Sequence, residues 1–209
     1  MQLVYYNEYY CIMEIVRLRI LIAGDSFAAE WPGNNGWVKL LSQKFSVANV
    51  AQAGVGEYKI LKQLKNLDDY QIIIVSHTSP SRVHTPKHPL HTQGLHKDCD
   101  LLYNDIDRTS LFNSSLTAAK GYFKYHYDDV YQCDIYKLLR QEIYNMLQNK
   151  IYISMSHIDI AKLFIYEDNH LDFSEFWQKN KGNENHYTKK GNEKIFNFVL
   201  ERINKSVLL

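Results

Sequence analysis

A three-layer α/β/α sandwich around a central parallel sheet is the fold class this sequence predicts. Three observations predict it. Apolar runs of strand length recur along the chain, amphipathic helical periods separate them, and one run, QIIIVS at residues 71–76, is apolar almost throughout. A strand covered on both faces by helices reads in that continuous way, whereas a half-exposed strand alternates. Repeated strand, helix, strand order then implies right-handed crossovers with helices on both sides of the sheet.

In chain order, residues 15–23 open with Val16, Leu18 and Ile20 alternating against Arg17 and Arg19 and then turn wholly apolar, as a strand entering a core does. Trp37, Val38, Leu41 and Phe45 follow at helical spacing, with Asn35 placed to cap. FSVANVA reads as a short second strand, and Ile60, Leu61, Leu64 and Leu67 mark a second helix before the 71–76 strand. From Thr78 to Lys120 the pattern dissolves into Pro, His, Asn, Asp and Ser, far beyond the usual connection of about four to six residues. That stretch predicts an insertion, at about 79–114, lying over one end of the sheet. Helical period returns at Ile135, Leu138, Leu139, Ile143, Met146 and Leu147, followed by the strand KIYISMS and a last helix from about Thr188 carrying Ile195, Phe196, Val199 and Ile203 on one face.

The 209 residues suffice for one domain with a full core and fall short of two. Residues 15–209 are accordingly expected to form a single domain, preceded by an extension over 1–14. With 45% hydrophobic and 22% charged residues the composition excludes a disordered or collagen-like chain. The 24 Lys plus Arg nearly balance 23 Asp plus Glu, and a net charge of +1 offers no field to attract nucleic acid or anionic lipid. Cys11, Cys99 and Cys133 form no CxxC pair, which suits free thiols and predicts a cytoplasmic protein. The first residues lack the basic start and apolar stretch of a signal peptide and no apolar run reaches membrane-spanning length, so neither export nor a membrane partner is expected.

The first strand ends in Gly24, Asp25 and Ser26. Ligands of parallel α/β sheets bind outside the carboxyl ends of the strands, which is where this serine falls. A serine hydroxyl needs a neighbouring base to become a nucleophile, and histidine has the pKa for that work. Of nine histidines, His186 stands in a polar loop directly before the last helix and is the best placed candidate.

With these residues the chain resembles the SGNH, or GDSL-type, hydrolases. Gly24-Asp25-Ser26 matches the nucleophile block after the first strand, and His186 matches the histidine of an Asp-x-x-His loop leading into the final helix. The resemblance spans residues 15–205 and implies a flavodoxin-like sheet, an acyl-enzyme mechanism and no metal or organic cofactor. It implies that Ser26 is the nucleophile and His186 the base. Gly54, five residues after Asn49, stands at the family's second block, where its amide and that of Ser26 form an oxyanion hole. Glycine lets backbone approach a ligand closely, and losing one such donor costs about 3–4 kcal/mol of transition-state stabilisation. A plain strand-to-helix turn is the competing explanation of Gly54.

Two blocks depart from the family pattern. Where it has Gly-x-Asn-Asp, this chain has VSHTSPSR, so Thr78, or else Ser79, would replace the oxyanion asparagine, and Arg82 would bind an anionic part of the substrate or lie on the surface. Asn183 stands where the family carries the triad aspartate. An amide can hold an imidazole tautomer without neutralising the imidazolium, and the corresponding Asp-to-Asn change in serine proteases costs about 10⁴ in kcat. A Ser26–His186 dyad oriented by Asn183 is expected, with Glu184 or Asp172 as alternative acids.

His84, His88, His91 and His96 in the insertion show no recognised finger spacing and are expected to be solvated loop residues. Trp31 and Trp37 flank PGNNG near the nucleophile turn, and each either walls the site or belongs to the core. The function expected is hydrolysis of a short acyl ester on a small molecule or glycan, with acyl transfer using the same residues. A catalytically impaired binding relative is the alternative.

Overall fold

Side chains alternate between the two faces of a strand, so a strand apolar at every position must be covered on both sides. The computed structural model describes residues 18–33, 36–107, 114–159 and 170–207. It begins with β1 (Arg19–Gly24), α1 (Trp37–Ser42), β2 (Ser46–Asn49), α2 (Glu57–Gln63) and β3 (Ile72–His77). The insertion supplies α3 (Tyr103–Asp107) and leads to α4 (Ser114–Tyr125) and α5 (Asp129–Leu147), followed by β4 (Ile151–Ser156) and β5 (His170–Asp172). The last elements are α6 (Ser174–Lys179), β6 (Lys181–Glu184) and α7 (Lys189–Val207).

Five strands form one sheet in the order β2-β1-β3-β4-β5, with every neighbouring pair parallel. The fold is therefore the predicted three-layer sandwich, and its strand order is the doubly wound order 2-1-3-4-5. Ile20, Ile22, Ile72, Ile74, Ile153 and Met155 face α1 and α7, where they pack with Trp37, Leu41, Ile195 and Val199. The intervening residues Leu21, Ala23, Ile73, Val75 and Tyr152 face the other way, against Ile60 of α2 and Ile143 and Leu147 of α5. Two cores separated by one residue in sequence are the physical content of the apolar runs.

The stretch expected to be irregular is more ordered than its composition suggests. It holds α3, and α4 begins at its end; Ile106, Leu116, Ala119 and Phe123 of these helices bury a third small core with Leu101. The apolar positions of α4 are separated by polar and aromatic residues, which hid its period. β5 and α6 were also not legible, because three half-exposed or exposed residues and a helix with none fully buried carry no clear pattern. Leu67, read as helical, falls instead in a 3₁₀ turn after α2. The 1–14 extension, the Asn35 cap, Cys11 and residues 108–113 of the insertion lie outside the described residues. Cys99 and Cys133 are free, and no described helix is long and apolar enough to cross a membrane.

The parallel register sets Gly24 beside Ser76 and His77 beside Ser156, so the strands end together. Gly24 has φ of +154°, and a Cβ there would lie 2.6 Å from Ser76 Cβ and 2.7 Å from its carbonyl oxygen. Gly24→Ala is expected to lower the unfolding free energy by about 1–3 kcal/mol, the usual cost of overpacking. Urea denaturation should show this as a lower midpoint with unchanged slope.

Candidate active site

Where β1 ends, the chain makes one helical turn: the Asp25 carbonyl accepts from the amides of Ala28 and Ala29 at 3.1 and 2.9 Å. The Asp25 carboxylate accepts from the Phe27 amide at 3.0 Å and from Ser76 Oγ at 3.3 Å. Between these anchored residues Ser26 is held at the end of the sheet. Its carbonyl accepts from Trp31 Nε1 at 2.9 Å and from Asn185 Nδ2 at 3.3 Å.

On the other side of the site, β6 folds back through bridges to Tyr187 before α7 starts. Asn185 and His186 are both left-handed, with φ of 47° and 64°. Two such residues in succession are strained for non-glycine side chains, and buried amides hold them in place. Asn185 Nδ2 also donates to the Ala29 carbonyl at 2.7 Å. Asn192 of α7 donates to the carbonyls of Glu184 and Thr188 and accepts from the Trp37 amide at 3.1 Å. This loop brings His186 Nε2 to 2.8 Å from Ser26 Oγ across 160 positions of sequence. The imidazole is packed against the Phe27 ring at 4.5 Å and the Trp31 ring at 5.3 Å between centroids. Burial, with His96 and Arg82 nearby, holds its pKa below the ordinary histidine value, so at neutral pH the ring is uncharged and able to accept a proton.

Beyond β2 the chain still runs alongside β1, with the Gln52 amide on the Gly24 carbonyl at 3.0 Å, and this carries Gly54 to the same end. Gly54 has φ of +78°, and a Cβ there would lie 2.7 Å from Cys99 Cβ. Its carbonyl is held by the Asp100 amide at 2.9 Å and by Arg82 Nη1 at 3.0 Å. Neither the Ser26 nor the Gly54 amide donates to an acceptor among the described residues. Of the two candidate hydroxyls, Ser79 Oγ is paired with Ser81 Oγ at 2.7 Å. Thr78 Oγ1 is buried near the Asp25 carboxyl without a hydrogen bond of normal geometry.

Asn183 does not orient the base. It lies exposed on β6, and no hydrogen bond joins it to His186; the two left-handed residues that follow turn His186 inward while Asn183 stays on the outer side. The alternative acids are no closer in chemistry. Asp172 is exposed and accepts from the Ser174 amide at 2.8 Å, and Glu184 reaches towards Gly33. Trp31 borders the serine and the histidine, whereas Trp37 is fully buried core. Arg82 is half-buried and is tied to Gly54.

Asn185, Asn192 and Phe27 carry no signal in the sequence, because nothing in the local pattern marks an asparagine as buried or one aromatic ring among many as a neighbour of the site. The loop histidines differ from the solvated residues that their spacing predicts. His84 is exposed, but His88 is 2% exposed, and His96 stands 6.3 Å from Trp31 between ring centroids.

These features describe a parallel α/β protein with a serine and a histidine in hydrogen-bond contact at the carboxyl end of its sheet. Comparison with protein-family models, with curated proteins and with solved structures gave no match.

Burial pushes the Asp25 carboxyl up to about 6 from 3.8, against the lowering effects of the Phe27 amide and Arg82. The stability contributed by the protonated form is complete below about 3.8 and is lost as pH rises through about 6. That loss is of the order of 3 kcal/mol. Asp25→Asn keeps an acceptor for the Phe27 amide, and its unfolding free energy is expected to fall less between pH 4 and 7 by about that amount. Urea titrations at the two pH values measure it.

Proposed function

We propose that this protein is a serine hydrolase of SGNH type that cleaves a carboxylic ester through an acyl-enzyme. The 2.8 Å contact between Ser26 Oγ and His186 Nε2 carries this reading. Ser26 Oγ attacks the acyl carbon as His186 Nε2 takes its proton. The amides of Ser26 and Gly54 receive the negative charge on the carbonyl oxygen, with the Thr78 hydroxyl available as a third donor. His186 returns the proton to the departing alcohol and then activates water to release the acyl group. Because no carboxylate among the described residues is bonded to His186, the imidazolium formed in this step is stabilised by its surroundings. The positive field of Arg82 opposes that cation but favours the oxyanion, so the site leans more on charge stabilisation at the substrate than on a strong base.

The substrate class is an ester of a small molecule or glycan with a short acyl group. The insertion, whose His96 and Arg82 lie near His186, decides which one. Free Cys99 and Cys133 fit work in a reducing compartment such as the cytoplasm. One observation favours a second reading: with no acid on His186 among the described residues, the chain would be a binding relative that keeps the fold and has lost turnover.

A fluorophosphonate separates the two. Covalent modification at Ser26, located by mass spectrometry, and aryl acetate hydrolysis that disappears in Ser26→Ala are expected for the hydrolase. Hydrolysis that persists undiminished in Ser26→Ala would exclude this serine as the nucleophile, and absence of both labelling and hydrolysis would favour the binding relative.

The lowered pKa of His186 fixes the direction of the pH dependence. The neutral base persists below the usual histidine value, so the acid limb of kcat/KM is expected below pH 6.5. Asn183→Asp adds an exposed, screened charge, and is expected to alter kcat/KM by no more than about twofold and to leave the limb in place.

A further inference from the structure

The insertion brings His88, His91 and Cys99 together, with one potential ligand atom from each lying within 4.8 Å of the other two. The spacing is His-x2-His-x7-Cys, and the loop that makes it is closed by its own backbone. The Asp98 amide donates to the His91 carbonyl at 2.9 Å, and the Cys99 amide to the His96 carbonyl at 3.1 Å. The His88 and His91 rings stand 4.5 Å apart between centroids and are tilted by 44°, so they converge rather than stack flat.

His88 is the anomalous member. It is 2% exposed, and its Nδ1 accepts from the amides of Leu90 and His91 at 3.1 Å each. Its Nε2 is buried with no hydrogen-bond partner among the described residues. A buried imidazole nitrogen without a partner is costly unless something else satisfies it. The cluster also holds a second imidazole and a thiol, which together with His88 make the donor set of a zinc-type ion rather than of a hard cation bound by oxygen.

We propose that His88, His91 and Cys99 bind one zinc-class divalent ion, with solvent at the fourth position. A tetrahedral site of Zn–N about 2.0–2.1 Å and Zn–S about 2.3 Å sets its ligand atoms about 3.3–3.8 Å apart. Side-chain rotation of about 1 Å therefore closes the cluster. Ligation replaces the Cys99 thiol proton and moves the His88 proton off Nε2 to Nδ1, releasing the thiol proton to solvent. His88 then gives up its two amide hydrogen bonds, which a structural ion outweighs. The site bears on the rest of the molecule through Gly54. Cys99 Cβ abuts the position a Gly54 side chain would take, and the adjacent Asp100 amide holds the Gly54 carbonyl at 2.9 Å. An ion here pins the loop that backs Gly54, and it binds whether or not Ser26 is a nucleophile.

The test uses the full chain, stripped with a chelator and reloaded with Co(II), with folding followed by circular dichroism. One Co(II) per chain with thiolate-to-cobalt charge-transfer absorption is expected. The absorption should vanish in Cys99→Ser, and affinity should fall at least about 100-fold in His91→Gln, more than loss of an outer partner costs. His91 is half-buried, so that variant decides the matter if Cys99→Ser does not fold. Ser26→Ala should bind the ion as the parent does, which separates failure of this proposal from failure of the hydrolase reading. Substoichiometric uptake, or a Co(II) spectrum and affinity that survive substitution of either ligand in a folded variant, would overturn it.

Discussion

One buried amide ties the two ends of this chain together at the place where the chemistry would occur. Asn185 Nδ2 donates to the carbonyls of Ala29 and Ser26, so the turn after the first strand and the loop before the last helix share a hydrogen-bond donor. A buried amide left unpaired costs enough that the native arrangement must satisfy it. The left-handed backbone of Asn185 and His186 is the strain that this satisfaction holds in place. Asn192 completes the tether by joining Glu184 and Thr188 of the same loop to the start of α1. The Ser26–His186 contact is a consequence of these bonds more than a bond that stands by itself.

The electrostatics of the site follow from burial. Asp25 is 1% exposed and is pushed up to about 6 by burial, while burial lowers His186 in the opposite sense. Both shifts favour the uncharged form, as loss of water requires of an acid and of a base alike. Arg82 is the nearby fixed cation that acts on both groups. Its bond to the Gly54 carbonyl places positive charge behind the amide proposed to receive the oxyanion. Aromatic packing orients the histidine: Phe27 lies against its ring, and Trp31 meets it edge to face while holding the Ser26 carbonyl.

The insertion is a structural part of that end of the sheet. Asp100 is fully buried. It accepts from the Gly56 amide at 2.7 Å and pairs with Lys59 of α2 at 2.8 Å, which anchors the segment to the turn carrying Gly54. A long, polar, histidine-rich stretch thus acquires fixed geometry from a few buried charges rather than from an apolar period.

What the sequence by itself determined is whatever repeats with a period. Apolar continuity in Ile72, Ile73, Ile74 and Val75 required a strand covered on both faces. The helical spacing of Ile195, Val199 and Ile203 required a helix against that sheet, and strand-helix alternation made the strands parallel. Ser26 and His186 could be nominated because parallel strands end together and each residue stands at a strand-to-helix passage. Tertiary structure alone decided which asparagine matters. Asn183, chosen by its place three residues before the histidine, is exposed, and Asn185, two residues later, is 2% exposed and holds the site. Likewise His88 is buried, although its neighbours in sequence read as a solvated loop. Periodicity reports burial summed over an element, whereas an isolated polar side chain is buried or exposed according to the partners and packing it finds, which for Asn185 lie more than 150 residues away along the chain.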